Sequence, residues 1–380
     1  MLFELSEEQL MIQQAARDFA QTELKPGVIE RDEHQKFPKE QVKKLGELGF
    51  LGMMVDQKYN GSGMDAVSYV LVMEELSKID ASASVVVSVN NSLVCYGLES
   101  YGTEAQKEKY LKPLASGEKI GAFCLSEPEA GSDATSQQTT AEDMGDYYLL
   151  NGTKNWITNG STASTYLVIA QTHKELRHKG INAFIVEAGT PGFTIGPKEN
   201  KLGIRGSDTH SLMFNDVKVP KENRIGDDGF GFSFAMKTLE GGRIGIAAQA
   251  LGIAAGAYEL ALEYSKQRKS FGKAIAEHQA IAFKLADMAT QIEAARMLVY
   301  KAAWLKDQGQ SYTLAGSMAK LFASKVAMDV TVEAVQIHGG YGFVKEYHVE
   351  RLMRDAKITQ IYEGTSEIQK MVISRNILSK

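Results

Sequence analysis

Glu363 stands where Ile358 to Tyr362, which resembles an extended buried run, meets Gly364 and a threonine, Thr365, placed to cap a following helix. A carboxylate just outside a helix N-terminus can simply complement the helix dipole. Gly364, however, allows a close backbone approach, and a ligand at that helix end would meet free amides. A carboxylate held beside a bound ligand is the kind of group that takes a proton. A second segment, Phe123-Cys124-Leu125-Ser126-Glu127-Pro128-Glu129-Ala130-Gly131-Ser132-Asp133, runs from a strand into a loop of small residues whose free backbone donors can cradle a pyrophosphate. Standing alone, it reads as an ordinary strand-to-turn transition. It does not stand alone, because Trp156-Ile157-Thr158 offers an indole to stack on a flat ring and a hydroxyl to bond one of its nitrogens.

Other patterns fall away. Gly61-Ser62-Gly63 with Ala66 satisfies a loose dinucleotide fingerprint and has Asp80 downstream, but that fold needs repeated βαβ units, and the first 120 residues read as helical. The seven histidines form neither HExxH nor a paired metal spacing, and no metal site is expected. Gly231-Phe232-Ser233-Phe234-Ala235 only approximates a nucleophile elbow and lacks the strand before it.

The elements that must position these residues follow from periodicity. Ser6 and Gln9 form a capping box, with Leu10 placed to staple onto Leu5. Helices are expected near Asp65 and over Ser82 to Tyr101, the latter apolar on most sides and therefore buried. From about Gly121 the pattern turns β, with a hairpin expected at Tyr147 to Leu150, Asn151-Gly152 and Thr153 to Thr158, since Asn-Gly supplies the positive φ of a type I′ turn. Strands continue at Tyr166 to Gln171, Ala183 to Glu187 and Ser211 to Val219. After Phe232 long helices are expected near 233–266, 277–308 and 313–338, then 366–378, as in an antiparallel bundle. The reading is an α+β protein with an N-terminal all-α domain (1–120), a middle β-barrel or sandwich domain (121–232) and a C-terminal four-helix bundle (233–380).

A chain of 380 residues with 44% hydrophobic content can bury a large core. Its formal charge of −5 gives no excess of positive charge to hold nucleic acid or an anionic membrane. Cys95 and Cys124 suit neither a disulfide framework nor metal-ligand spacing, so a reducing compartment is expected. No export or organelle address is visible in MLFELSEEQ and no apolar run nears the roughly 20 residues of a membrane span, so the expected location is the cytoplasm.

Taken together, Phe123 to Asp133, the Asn151 to Thr158 stretch, Leu239 to Arg243, Arg268-Lys269-Ser270-Phe271-Gly272 with Gln279, Gln336 to Gly342 and Ile361-Tyr362-Glu363-Gly364-Thr365-Ser366 resemble the acyl-CoA dehydrogenase family over essentially the whole chain. The resemblance implies FAD between the β domain and the bundle, with Phe123, Leu125, Ser126, Ile157 and Thr158 along the flavin and Trp156 against its face. It places Gly131 and Ser132 near the flavin phosphates and the substrate's phosphopantetheine arm, and Thr365 and Glu367 against FAD. It assigns Arg268, Gln279, Gln336, Gly339 and Gly340 to the flavin of a neighbouring subunit, hence a homotetramer.

For the substrate, the resemblance implies contact with Glu240, Gly241, Gly242, Arg243, Tyr362 and Gly364, with Glu363 as the catalytic base. The reaction expected is α,β-dehydrogenation of a short- or medium-chain acyl-CoA to the trans-2-enoyl-CoA, with electrons passed to an electron-transferring flavoprotein. Some members carry the base one residue before the arginine matched by Arg243, and here that position is Gly242. A flavin oxidase and a non-catalytic paralogue are the alternatives. The length of the chain disfavours the first, and retention of Glu363 and Arg243 the second.

Overall fold

The computed structural model describes residues 4–379. In the first helix, α1 (Glu7–Phe19), the Ser6 hydroxyl accepts from the Gln9 amide at 3.1 Å and the Gln9 side chain accepts from the Ser6 amide at 3.1 Å, as the capping box requires. Leu5 packs on the core, while Leu10, the residue expected to staple onto it, is half exposed. Short helices α2 (Val28–Glu33) and α3 (Lys39–Glu47) lead to α4 (Ala66–Ile79). Its N-terminus is filled by protein carboxylates: Asp65 accepts from Ser68 at 2.6 Å, and Asp307 accepts from Ala66 at 2.6 Å and Val67 at 3.1 Å. Those oxygens take the amides a pyrophosphate would need, so the Gly61-Ser62-Gly63 loop is no dinucleotide site.

Helices α5 (Ala81–Ser88) and α6 (Tyr96–Tyr101) run together through a wider turn at Val89–Cys95. There the buried Asn90 and Asn91 amides tie the helix to the carbonyls of Leu51 (2.8 Å), Leu114 (3.0 Å) and Phe50 (2.8 Å). By length and mean hydropathy Ala81–Tyr101 and Gly231–Gln267 are able to cross a membrane, which corrects the expectation that no run nears that length; interspersed Ser and Asn residues hide the apolar average by eye. The apolar stretches are 94% and 83% buried in the fold, as core helices of a packed domain are. Helices α7 (Glu104–Gln106) and α8 (Lys112–Ala115) close this part.

Strands β1 (Gly121–Cys124), β2 (Thr140–Asp143), β3 (Tyr147–Thr158), β4 (Thr165–Gln171), β5 (Ile181–Glu187), β6 (Phe193–Lys198), β7 (Thr209–Pro220) and β8 (Arg224–Ile225) form one sheet in the order β6-β7-β3-β2-β4-β5-β8, with β1 parallel to β4. It curls about its own core of Tyr148, Tyr166, Phe184 and Phe214, while Phe123, Leu167 and Ile185 on the other face pack against Leu98 and Phe234.

The expected hairpin at Asn151-Gly152 is absent. β3 runs straight through it and pairs with β7 along its length, with an irregularity between Leu150 and Gly152. The Asn151 side chain bonds Asp216 across the sheet (3.0 Å and 2.8 Å), and Gly152, at φ 147°, passes Thr139 so closely that a Cβ would lie 2.6 Å from its hydroxyl. The dipeptide makes a bulge, where an unpaired residue and a glycine are also at home.

The bundle comprises α9 (Gly231–Gln267), α10 (Gln279–Asp307), α11 (Thr313–His338) and α13 (Ser366–Leu378), with a small β9–β10 hairpin (Lys269–Ser270, Lys273–Ala274) between the first two. A further helix, α12 (His348–Ala356), was not expected. Ile358 to Tyr362 is not extended: Lys357–Gln360 is a 3-10 turn and Ile361 is half exposed. The Asp355 carboxylate, which accepts from Arg351 at 2.8 Å and from the Ile204 amide, ends α12 against the β domain and sends the chain into that turn.

Candidate active site

The turn between α12 and α13 carries Glu363 at φ 51° and Gly364 at φ 90°. A left-handed conformation is costly for a glutamate, so the surroundings must hold it. The Gly364 carbonyl accepts from Lys320 Nζ at 2.6 Å and from Gln369 Nε2 at 2.9 Å, and Thr365 caps α13 by accepting from the Ile368 amide at 3.3 Å. Tyr362 donates to Gln249 Oε1, and Gln249 in turn bonds the Ala81 carbonyl at 3.0 Å. Carbonyls and side chains of this turn are thus anchored into α9, α11 and α13. Among the described residues, the N–H groups of Glu363, Gly364 and Thr365 have no acceptor.

The Glu363 carboxylate is aimed at α9. A Cβ built on Gly242 would lie 2.1 Å from Glu363 Oε2, so only glycine leaves room for the carboxylate at that height on the helix. Oε2 is sealed from solvent and has no hydrogen-bond partner. Burial pushes this carboxyl up to about 7, with Lys320 and Arg243 pulling the other way. Arg243 is buried, 3.4 Å from Ser317 Oγ, and its Nε is also unpartnered. Glu240 accepts from Thr313 at 3.0 Å, and Gly241 faces the Ser92 carbonyl and Lys306 Nζ. Tyr362, Glu363, Gly364, Gly242 and Arg243 therefore converge, as expected.

On the β side, the Asn155 amide donates to the Ser126 carbonyl at 2.8 Å, which brings the Phe123 to Asp133 loop alongside the end of β3. A register shift between Lys154 and Ile157 places Trp156 at φ 63°, turned outward and 62% exposed, beside the half-buried Ser126 and Thr158. Ile157 is buried in the sheet core, and Phe123 and Leu125 in the apolar cluster that also touches Tyr362, so these three offer a ligand mainly backbone. Gly131 and Ser132 are exposed, with open space above Gly131.

Thr365 and Glu367 line a cleft of about 830 Å³ with Met318, Phe322, Gln360 and Ile361. Arg268, Gln279, Gln336, Gly339 and Gly340 do not join Glu363; they lie exposed at one end of the bundle, where Arg268 sits 5.6 Å over the Tyr341 ring and Phe271 and Phe343 are almost fully exposed. The outward indole, the free amides before α13 and this cleft fit a large planar ligand carrying phosphates.

Several supporting residues were missed by sequence reasoning: Lys320, Gln249, Gln369 and the buried pair Lys154–Glu127. Their signal was a charged or polar residue at an inward position of an apolar helix or strand. Lys154 Nζ bonds Glu127 Oε1 at 2.6 Å, Gln137 at 2.5 Å and the Leu125 carbonyl at 3.1 Å. Glu127 also accepts from the amides of Gln138 and Thr139, so the pair folds the whole loop back onto β3. Burial pushes the Glu127 carboxyl up, but Lys154 and those amides outweigh it and hold it below the usual value. Burial drives Lys154 down to about 8. Lys154→Met leaves Glu127 buried without its cation, and the expected cost is roughly 3–5 kcal/mol. Urea unfolding of the variant should show that loss; an unchanged midpoint would mean that the pair does not organise the loop.

Three family profiles match in order: "Acyl-CoA dehydrogenase, N-terminal domain" over residues 6–118, "Acyl-CoA dehydrogenase, middle domain" over 122–217 and "Acyl-CoA dehydrogenase, C-terminal domain" over 229–378. A short-chain specific acyl-CoA dehydrogenase of Clostridium acetobutylicum is 54% identical over 375 residues, covering 99% of each chain. The structure of butyryl-CoA dehydrogenase from Megasphaera elsdenii superimposes with a TM-score of 0.98 at 53% identity, covering 100% of both chains. A chain solved with the electron transferring flavoprotein of Acidaminococcus fermentans as its subject superimposes at 0.99 with 52% identity, again over 100% of both.

Proposed function

This chain belongs to the acyl-CoA dehydrogenase family, and on that premise we propose that Glu363 removes the α-proton of a short- or medium-chain acyl-CoA during its oxidation to the trans-2-enoyl-CoA. The enzyme is an FAD-dependent oxidoreductase. The observation that carries the reading is Glu363 Oε2, a carboxylate oxygen sealed from water, without a hydrogen-bond partner, facing a helix position that only glycine leaves open. Such an atom is poised for a proton it does not yet have.

An α-proton beside a thioester is weakly acidic, so the carbonyl must be polarised while the base acts. The free Glu363 N–H is the protein's donor for the thioester oxygen. Burial of the acyl chain against Tyr362 and against Leu93, whose side chain lies beside Gly242, would exclude water and raise the basicity of Glu363 further. FAD, when bound, would supply the acceptor for the β-hydrogen. Ser126 and Thr158 would hold the ring edge, Trp156 its face, and Thr365 and Glu367 the side nearest α13. The exposed Gly131 and Ser132 would take the phosphates and the pantetheine arm, and Glu240 to Arg243 would flank the substrate.

The exposed aromatic end of the bundle supports a homotetramer in which Arg268, Gln279, Gln336, Gly339 and Gly340 reach a neighbouring subunit's flavin. We take 1–120, 121–232 and 233–380 as its domains. Likeness to a chain solved in a study of an electron transferring flavoprotein supports that class of protein as the acceptor. Cys95 and Cys124, both buried and free, support a reducing, cytoplasmic setting, and fatty-acid β-oxidation is the pathway class that consumes such products.

The purified protein should be yellow with about one FAD per chain, because the outward Trp156 indole stands beside the half-buried Ser126 and Thr158 hydroxyls, a set suited to stack on and bond a flat ring. A dye-linked turnover screen from butyryl- to palmitoyl-CoA should peak at the short end, and reoxidation by oxygen should be slow beside that by an electron-transferring flavoprotein. A colourless preparation that takes up no added FAD defeats the reading, and rapid peroxide formation in turnover converts it to an oxidase.

A further inference from the structure

Lys320 is 1% exposed on the inward face of α11, next to the fully buried Ala319, and has no carboxylate within salt-bridge distance among the described residues. A lysine in that position is expensive unless its charge and its donors are used. Its one hydrogen bond, 2.6 Å to the Gly364 carbonyl, goes to the residue after the base. Gln369 bonds the same carbonyl and approaches that of Glu363 at 3.4 Å. In a trans peptide the N–H points opposite to the C=O, so drawing the Gly364 carbonyl into the fold turns the Thr365 N–H the other way.

We propose that Lys320 is a positioning residue for the base: its buried ammonium, clamped on the Gly364 carbonyl, holds the left-handed Glu363–Gly364 backbone so that the carboxylate faces Gly242, and it supplies compensating positive charge on that side of the site. This rests on Glu363 being the base. The groups facing Glu363 are Lys320 from α11, Arg243 from α9, Tyr69 from α4 and Tyr362 beside it, with Glu367 of α13 facing Lys320. Burial keeps both phenols neutral, and Arg243 stays charged at all working pH. Lys320 and Arg243 are thus the two cations that Glu363 meets, and Lys320 is the one that also holds the turn carrying it. Burial pushes its ammonium down to about 7 and Glu363 supports it, so the two ionised forms sustain each other.

The test is anaerobic flavin reduction by butyryl-CoA, across pH, in FAD-loaded Lys320→Met, Lys320→Gln and Lys320→Arg. Without the cation, the Glu363 carboxyl holds its proton to higher pH. In Met and Gln variants the midpoint of the rate–pH profile should rise by about one unit, and the rate at neutral pH should fall about tenfold or more, with butyryl-CoA affinity little changed. Lys320→Arg should restore the midpoint while recovering only part of the rate, since the fork reaches the carbonyl differently. If Lys320→Met does not fold, Lys320→Gln, which keeps a donor on a shorter side chain and removes the charge, carries the test. A folded, flavin-loaded Gln or Met variant with the wild-type midpoint and rate overturns the inference. Glu363→Gln is run alongside: normal reduction there would sink the base assignment itself, whereas its loss together with wild-type behaviour of the Lys320 variants sinks only the role of Lys320.

Discussion

Glu363→Gln will leave the enzyme folded and flavin-loaded while reduction of the flavin by acyl-CoA falls by about 10³-fold or more. Gln keeps the volume of the side chain and can adopt the same left-handed backbone at comparable cost, so the turn held by Lys320, Gln369 and Thr365 should survive. What is lost is the lone pair that takes the proton. Wild-type reduction should rise with pH through about 7, because the active form is the carboxylate and burial places its titration there. The residual rate of the variant should lack that rise.

The same shift carries a stability consequence with a definite sign. A carboxyl whose folded value lies above its unfolded value favours the folded state at low pH, and that contribution is lost as pH rises through about 7. Glu363→Gln removes the loss, so the variant apoprotein should unfold at higher denaturant than wild type above pH 7. The proposed base is then a group kept at a cost to stability, as active-site charges commonly are. Wild-type bleaching kinetics in the variant would place the base elsewhere.

The second large effect uses the contact between Gly242 and Glu363. With Glu363 present, any side chain at 242 meets its carboxylate, since a Cβ there would stand 2.1 Å from Oε2. Glu363→Gly empties that space and suits the backbone, because φ 51° is a conformation that glycine adopts without strain. Adding Gly242→Glu then places a carboxylate on α9 near the vacated position, with the movable Leu93 side chain as the closest remaining neighbour. Gly242 lies inside a helix with ordinary φ, where glycine is worse than most residues by up to about 1 kcal/mol, so the backbone accepts the change. The double variant should reduce flavin faster than Glu363→Gly by at least about tenfold and remain well below wild type, since about 1 Å of misplacement costs roughly a hundredfold. A folded, FAD-loaded double variant no faster than the single one would remove the support for this shared position.

Much of this arrangement was legible because its signals are local. Ser6 and Gln9 lie three residues apart and cap α1 as read, and the long periodic segments of α9, α10 and α11 appear within a residue or two of their expected limits. Glu363, Gly364 and Thr365 were visible as a carboxylate, a glycine and a cap in succession. The failures are tertiary. Asn151-Gly152 carries a genuine turn cue, but β7 offers Asp216 as a partner across the sheet, and pairing through a bulge wins over turning. Ile358 to Tyr362 resembles an extended buried run in sequence, yet Lys357–Gln360 forms a 3-10 turn and Tyr362 is drawn in by Gln249, 113 residues away. Lys320 and Gly364 are separated by 44 residues, and Lys154 and Glu127 by 27. No window along the chain contains both members of such pairs, so the groups that hold the base and the flavin-side loop come into view only once α11 and the curled sheet are in place.

The most direct test of the central claim is an anaerobic titration of the FAD-loaded wild-type protein with butyryl-CoA, following the visible flavin absorbance and identifying the thioester released. The account predicts bleaching that saturates near one equivalent per flavin and yields trans-2-butenoyl-CoA. Butyryl-CoA that binds without reducing the flavin, at a pH where Glu363 is ionised, would contradict it.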